Sequence, residues 1–110
     1  MAANIGEFKQ QGAIIRVKAS KTLLYHELIT VGDIFAVTRS SADIGEVVAC
    51  DAEGVFLLSK KTSEAITQGK KVYLDATGVI TVTAGDGSPV GIAWSNETAD
   101  STTVEVKLNA

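Results

Sequence analysis

His26 and Cys50 are the only histidine and the only cysteine of the 110-residue chain, so any thiol catalysis has to pair them. A Cys–His dyad needs hydrogen-bond reach and a group that polarises the thiol. Cys50 lies near the end of an apolar run, Glu46–Asp51, where a buried and inert thiol is the usual outcome. Two N/S ligands cannot fill a tetrahedral zinc shell, so a zinc site of familiar type is excluded. Gly69-Lys70 is the heart of a P-loop, but Glu64 stands where the motif wants glycine and Lys71 where it wants Ser or Thr. A strand also follows where a helix is required. Ala84-Gly85-Asp86-Gly87-Ser88 has two glycines at the wrong spacing for a phosphate cradle. Asp75, Asp86 and Asp100 fall in turns, where Asp is favoured by its backbone-directed hydrogen bonds. Lys71-Val72-Tyr73 sets a basic residue beside an aromatic, yet one Tyr on a hairpin reads as surface packing or a subunit contact before a stacking platform. No catalytic constellation, metal site or cofactor site emerges, and the chain reads as a non-enzyme.

The elements around these residues are short strands. Val72 and Leu74 alternate with Lys71, Tyr73 and Asp75, and Ile80 and Val82 alternate with Thr81 and Thr83, the period of a strand. Asp75-Ala76-Thr77-Gly78 between them is too short for a helix, which predicts a hairpin of Lys71–Asp75 with Val79–Thr83 inside a longer antiparallel meander. Further strands are expected at Ala13–Ala19, Leu28–Val31, Ile34–Thr38, Glu46–Asp51, Gly54–Ser59, Pro89–Ser95 and Thr102–Leu108. In the first, Ile15, Val17 and Ala19 share one face; in the last, Val104, Val106 and Leu108 face inward. Val90, Ile92 and Trp94 are expected on one face, with Gly91 and Ala93 opposite. Lys60–Gly69 is either one short helix or a loop ending in a turn at Gln68-Gly69. No internal repeat is apparent. About eight or nine short, mainly antiparallel strands with at most one short helix spell an all-β fold, a small β-barrel or β-sandwich.

Residues 1–11 lack any sustained period and read as an extended N-terminal arm, leaving residues 12–110 as a single β domain. Ile5 and Phe8 are apolar residues in that arm, fit to fold back or to plug into another chain. Hydrophobic residues make up 45% of the chain, which argues against disorder, and aromatics only 5%, so the core is aliphatic. The formal charge is −3 with scattered Lys and Arg, which makes nucleic acid a poor partner. No apolar stretch approaches the ~18 residues of a membrane span. With no secretion signal in the first residues and one cysteine, synthesis in a reducing cytoplasm is expected. The strands of Val48, Phe56 and Tyr73 lack a fully polar face, which marks these three as subunit-interface candidates.

Seven pieces in order carry a family resemblance: Phe8-x-Gln10-x-Gly12, Leu28–Phe35, Gly45-Glu46, Glu53–Phe56, Gln68–Gly78, Gly87–Ala93 and Val104–Leu108. Together they resemble the small bacteriophage and prophage proteins grouped as DUF2190, understood as capsid cement or head decoration proteins. Tyr25-His26, where a small turn residue is expected, and Asp33, where glycine is commoner, depart from that pattern. The family has also carried a recombinase label, which the failed P-loop argues against. The resemblance implies a structural virion protein that binds the outside of a phage head. Its partners would be the major capsid protein and itself, as a homotrimer, with Ile5 and Phe8 as capsid contacts. The competing reading is a carbohydrate- or host-surface-binding β module.

Overall fold

The computed structural model describes residues 9–84 and 87–110 of the chain. Among them are nine strands in two antiparallel sheets, as the alternating patterns require. The first sheet holds β1 (Ile14–Lys18), β2 (Leu28–Val31), β3 (Ile34–Thr38) and β4 (Val47–Asp51), in the order β1-β4-β3-β2. The second holds β5 (Val55–Ser59), β6 (Lys71–Asp75), β7 (Ile80–Thr81), β8 (Gly87–Ala93) and β9 (Thr103–Leu108), in the order β5-β9-β8-β6-β7. The expected β6–β7 hairpin forms, with Tyr73 opposite Thr81 and Leu74 opposite Ile80. The simple meander does not: β4 and β5 belong to different sheets, and β9 inserts between β5 and β8. No helix forms in residues 60–69, because the Ile66 amide and carbonyl bond Glu97 across the fold, and Lys70 N–H closes a turn on Thr67 C=O.

Contrary to the expectation from sequence, the chain repeats itself. The strand order β1-β4-β3-β2 maps onto β5-β9-β8-β6, and the match extends to single hydrogen bonds. Ala52 N–H donates to Ala13 C=O as Leu108 N–H donates to Gly54 C=O. Arg39 N–H donates to Ala49 C=O as Trp94 N–H donates to Glu105 C=O. In each half two turns exchange reciprocal backbone bonds, Leu23 with Ala42 and Ile66 with Glu97. The turn residues His26, Gly45 and Gly69 take equivalent places at φ of 60°, 90° and 88°. A type II turn demands positive φ there, which glycine meets freely and His26 meets at a cost of about 1 kcal/mol. One element has no counterpart: β2 and β3 are joined by Gly32-Asp33, whereas the chain between β6 and β8 makes an excursion that includes β7.

Each half has its own aliphatic core. In the second, Val72, Ile80, Val90, Ala93, Val104, Val106 and Leu108 are buried together with Ile66. In the first, Val48 and Cys50 pack with Ala19, Leu23, Ala36 and Ala42, and Ile15, Val17, Ile29 and Val31 are only half-buried around them. β3 ties the halves together, because Phe35 and Val37 point into the second core while Ala36 points into the first. Asn109, at φ 57°, clasps the junction. Its side-chain carbonyl accepts from Phe35 N–H at 3.1 Å, and its amide donates to the carbonyls of Phe35 and Ala52 at 2.8 and 2.7 Å.

The face expected for β8 is corrected by a β-bulge. Val72 lies opposite Gly91 but Tyr73 lies opposite Pro89, so Val90 is the extra residue. The bulge reverses the alternation. Val90, Gly91 and Ala93 are buried, whereas Ile92 is half-buried and Trp94 is 45% exposed. The close packing read into Gly91 is real, since a Cβ there would collide with the Lys107 carbonyl.

Candidate partner-binding surface

The chemistry weighed in the sequence has no assembled site. Cys50 is fully buried, and its Sγ sits 3.8 Å from the Val48 carbonyl. Burial, with Asp51 adding to it, pushes the thiol pKa up, the opposite of an activated nucleophile. His26 is exposed on its turn, with its ring stacked on Tyr25 at 3.8 Å. Gly69 N–H is spent on the Ala93 carbonyl and cannot cradle phosphate. Among the described residues no group of three or more His, Cys, Asp or Glu converges as a metal site, and no helix is long and apolar enough to cross a membrane. The Ala84–Ser88 loop and the arm of residues 1–11 lie partly outside the described residues, and Ile5 and Phe8 wholly so.

The remaining carboxylates with shifted pKa are structural. Asp75 accepts from the Thr77 hydroxyl at 2.7 Å and from the Thr77 and Val79 amides, and these bonds hold its carboxyl below the usual range. Glu27 is lowered chiefly by the Leu24 amide, which it caps at 2.9 Å, and secondarily by Lys21. Burial raises the Glu64 pKa, but the Val82 amide, the Thr81 and Thr83 hydroxyls and Lys61 outweigh it and leave it lowered. Each group buttresses a turn or strand end.

What the fold does present is apolar surface. Val48 is 3% exposed and sealed in its own subunit's core, so β4 offers Val47, 65% exposed, to the outside. Phe56 is half-buried against the second core, and its neighbour Leu57 is 67% exposed on the opposite face. Tyr73 is half-buried between Thr81 of β7 and Pro89 of β8. Reasoning from sequence missed the turn tips. Leu24, Tyr25 and Ile44 are among the most exposed large apolar side chains, and the Leu23–Ala42 bridge sets their two turns side by side. The equivalent tips of the second half carry Thr67, Gln68 and Ala99, so turn geometry does not call for apolar residues there. Tyr25-His26, singled out as a departure from the family pattern, was the available signal.

A second feature is the edge of the first sheet. No backbone hydrogen bond joins β1 to β2 among the described residues, and between them lies a cavity of about 320 Å³ lined by Val17, Ala19, Leu23, Leu28, Ile29 and Thr30, among others. In the second half the matching gap is closed. Lys60 bridges Ile80 of β7 in parallel, and Lys61 N–H donates to the Ile80 carbonyl. The first half is therefore open along its seam, whereas the seam of the second is bridged at Lys60–Ile80.

The described residues thus present exposed apolar tips and an open sheet edge, with no converging reactive groups among them. No curated protein and no solved structure matches the sequence. The family model for phage cement proteins matches residues 9–108, nearly every residue of both sheets, and the chain belongs to the phage cement protein family.

Proposed function

We propose that this protein is a head decoration protein of the DUF2190 group that clamps the outer surface of an assembled phage capsid. The family match over residues 9–108 carries the reading, and the exposed Leu24, Tyr25, Ile44, Val47 and Leu57 support it. Membership of the family already implies a capsid-associated structural role. The finer reading places the protein on the virion surface after synthesis in the host cytoplasm, as a homotrimer gripping the major capsid protein. Such a clamp works by added interface, with ~800 Å² per partner typical of one specific contact. Many equivalent sites on one shell then multiply the effect. Ile5 and Phe8 are proposed as capsid anchors. The strands of Val48, Phe56 and Tyr73 are proposed to meet neighbouring subunits, through Val47, Leu57 and Tyr73.

Heads stripped of this protein test the reading. Full-length chain is expected to co-sediment with them at a saturable stoichiometry, and a chain lacking residues 2–10 at least tenfold more weakly. No saturable binding by the full chain refutes the cement role. Equal binding by the truncated chain removes the anchor role of Ile5 and Phe8 alone. A monomer by light scattering at micromolar concentration removes the trimer.

A further inference from the structure

We infer that the open seam between β1 and β2 is an acceptor for one short extended segment of the shell protein, which completes the first half as β7 completes the second. The inference rests on the cement reading for the identity of the partner. The seam itself is read from the internal repeat. In the second half, β7 lies antiparallel to β6 and its Ile80 is bridged in parallel to Lys60. The equivalents of β6 and Lys60 are β2 and Ala19, and the cavity lies between those two.

The exposed strand edges are ready to pair. The Ala19 amide bonds Glu46 and the Ala13 carbonyl accepts from Ala52, so odd-numbered residues of β1 face β4. By the alternation of an antiparallel ladder, the amides of Arg16 and Lys18 then point into the seam. On β2, Thr38 N–H bonds Glu27 C=O, which leaves the amides of Leu28 and Thr30 directed away from β3. Thr30 is the counterpart of Tyr73, which pairs with β7. Half-buried Ile15, Val17, Ile29 and Val31 form the floor that an added strand would cover. Flanking free edges of this kind suit main-chain pairing with a peptide, the β-augmentation mode.

Charge and direction define the occupant. In the second half Glu64 receives β7, accepting from the Thr81 hydroxyl at 2.9 Å and the Val82 amide at 3.1 Å. In the first half Lys18 and Lys21 line the cavity, and the Lys21 side chain is 69% exposed with the Glu27 carboxylate 3.3 Å away. Residues 9–26 carry Lys9, Arg16, Lys18 and Lys21 and no carboxylate. The incoming segment should therefore alternate apolar and polar residues and bear a carboxylate that meets Lys21. Following β7, it runs parallel to β1 and antiparallel to β2. A chain reversing at Gly12 to lie beside its own β1 would run antiparallel to β1, so an occupant that copies the direction of β7 is assigned to a separate chain.

The test uses full-length protein and heads stripped of it. Binding should slow amide exchange at Arg16, Lys18, Leu28 and Thr30 at least tenfold. Thr30→Pro, which removes a seam-facing donor on an edge strand, and Lys21→Glu should each weaken binding at least tenfold while the melting temperature stays within a few degrees. Wild-type binding with unchanged seam exchange, or full binding by Lys21→Glu, overturns the inference and leaves the cement function standing. No wild-type binding at all overturns the cement function itself. Concentration-dependent slowing of the seam amides without heads makes a second copy of this chain the occupant and overturns the assignment to the shell. Should Thr30→Pro fail to fold, wild-type exchange and Lys21→Glu still decide.

Discussion

The two halves share a strand order and a set of backbone hydrogen bonds, yet differ in how well they seal. The second half closes around Val72, Val104 and Val106, all fully buried, because β7 fills the gap between β5 and β6. The first leaves its β1 and β2 edges apart, and Ile29 is only half-buried where the matching Val72 is fully buried, while Ile15, Val17 and Val31 are half-buried like their counterparts Phe56, Leu58 and Leu74. One framework thus serves two purposes. A closed barrel stores stability, since each buried aliphatic side chain is worth about 1.5–3 kcal/mol. A half-barrel with a free edge leaves strand donors and acceptors available for pairing. The largest difference in chain length lies between two paired strands, a two-residue turn at Gly32-Asp33 against the excursion that carries β7.

The sharpest break in the comparison is Gly91 against Ala36. They hold the same ladder position, Gly91 opposite Val72 and Ala36 opposite Ile29. The first half accommodates a methyl there. In the second, the bulge at Val90 brings β8 so close to β9 that a Cβ on Gly91 would run into the Lys107 carbonyl. Gly91→Ala should therefore cost at least about 4 kcal/mol, seen as loss of the cooperative urea transition or recovery only in the insoluble fraction. The reverse change, Ala36→Gly, should cost about 1 kcal/mol from chain entropy and a lost methyl. Similar costs at both positions would mean that the halves do not differ in backbone spacing.

A gentler probe is the pair Val104 and Val48, which occupy matching inward positions opposite Leu58 and Val17. Val104→Ala leaves its cavity inside a closed barrel that cannot collapse, and roughly 2–3 kcal/mol is expected. Val48→Ala empties a core already open along one side, where neighbours can relax, and roughly 1–2 kcal/mol is expected. Chemical denaturation of both variants checks the order. Equal or inverted values would show the half-barrel to be as tightly packed as its neighbour.

Much of this was legible in the residues, for identifiable reasons. Alternation placed the strands within a residue or two, and Val104, Val106 and Leu108 face inward as their spacing implies. The repeat was not legible, because its two copies share backbone geometry more than side chains. Ala19 answers to Lys60, whose ammonium is instead held by the carbonyls of Lys61 and Ser101 at 3.0 Å. The string that does recur misleads. Asp51-Ala52-Glu53-Gly54-Val55 and Asp75-Ala76-Thr77-Gly78-Val79 look alike, yet the second turns a hairpin and the first carries the chain to the other sheet. Thr77 allows Asp75 to cap its own turn. Glu53 provides no such hydroxyl, and Ala52 is instead taken up by Ala13 and Asn109. The bulge at Val90 was invisible to any period-two count. On the strands of Val48 and Phe56, the side chains that face outward are Val47 and Leu57, one residue away from those singled out in the sequence.

The smallest expected effect tests what holds β7 in place, and with it the reason one half is closed. Glu64 is a partly buried carboxylate accepting from Thr81 Oγ1 at 2.9 Å and Val82 N at 3.1 Å, with Lys61 at 3.8 Å. Its folded pKa is held below the usual carboxylate range by those hydrogen bonds and by Lys61. A lowered carboxylate pKa adds stability that is present above the unfolded pKa and is lost as pH falls through the folded one. Glu64→Gln keeps one acceptor oxygen but loses the charge, so it should cost about 1 kcal/mol at pH 7, a drop of a few degrees in melting temperature. The gap to wild type should shrink as pH falls below the unfolded carboxylate pKa of about 4.3 and through the lower folded one, as the wild-type side chain is neutralised. Lys21→Gln, on the rim of the open seam, should stay within about 0.5 kcal/mol across the same range, since its side chain is 69% exposed and its ion pair with Glu27 is screened by water. A pH-independent gap for Glu64→Gln would assign its cost to packing, and the closure of the second half would then rest on the burial of Ile80 rather than on the carboxylate that receives β7.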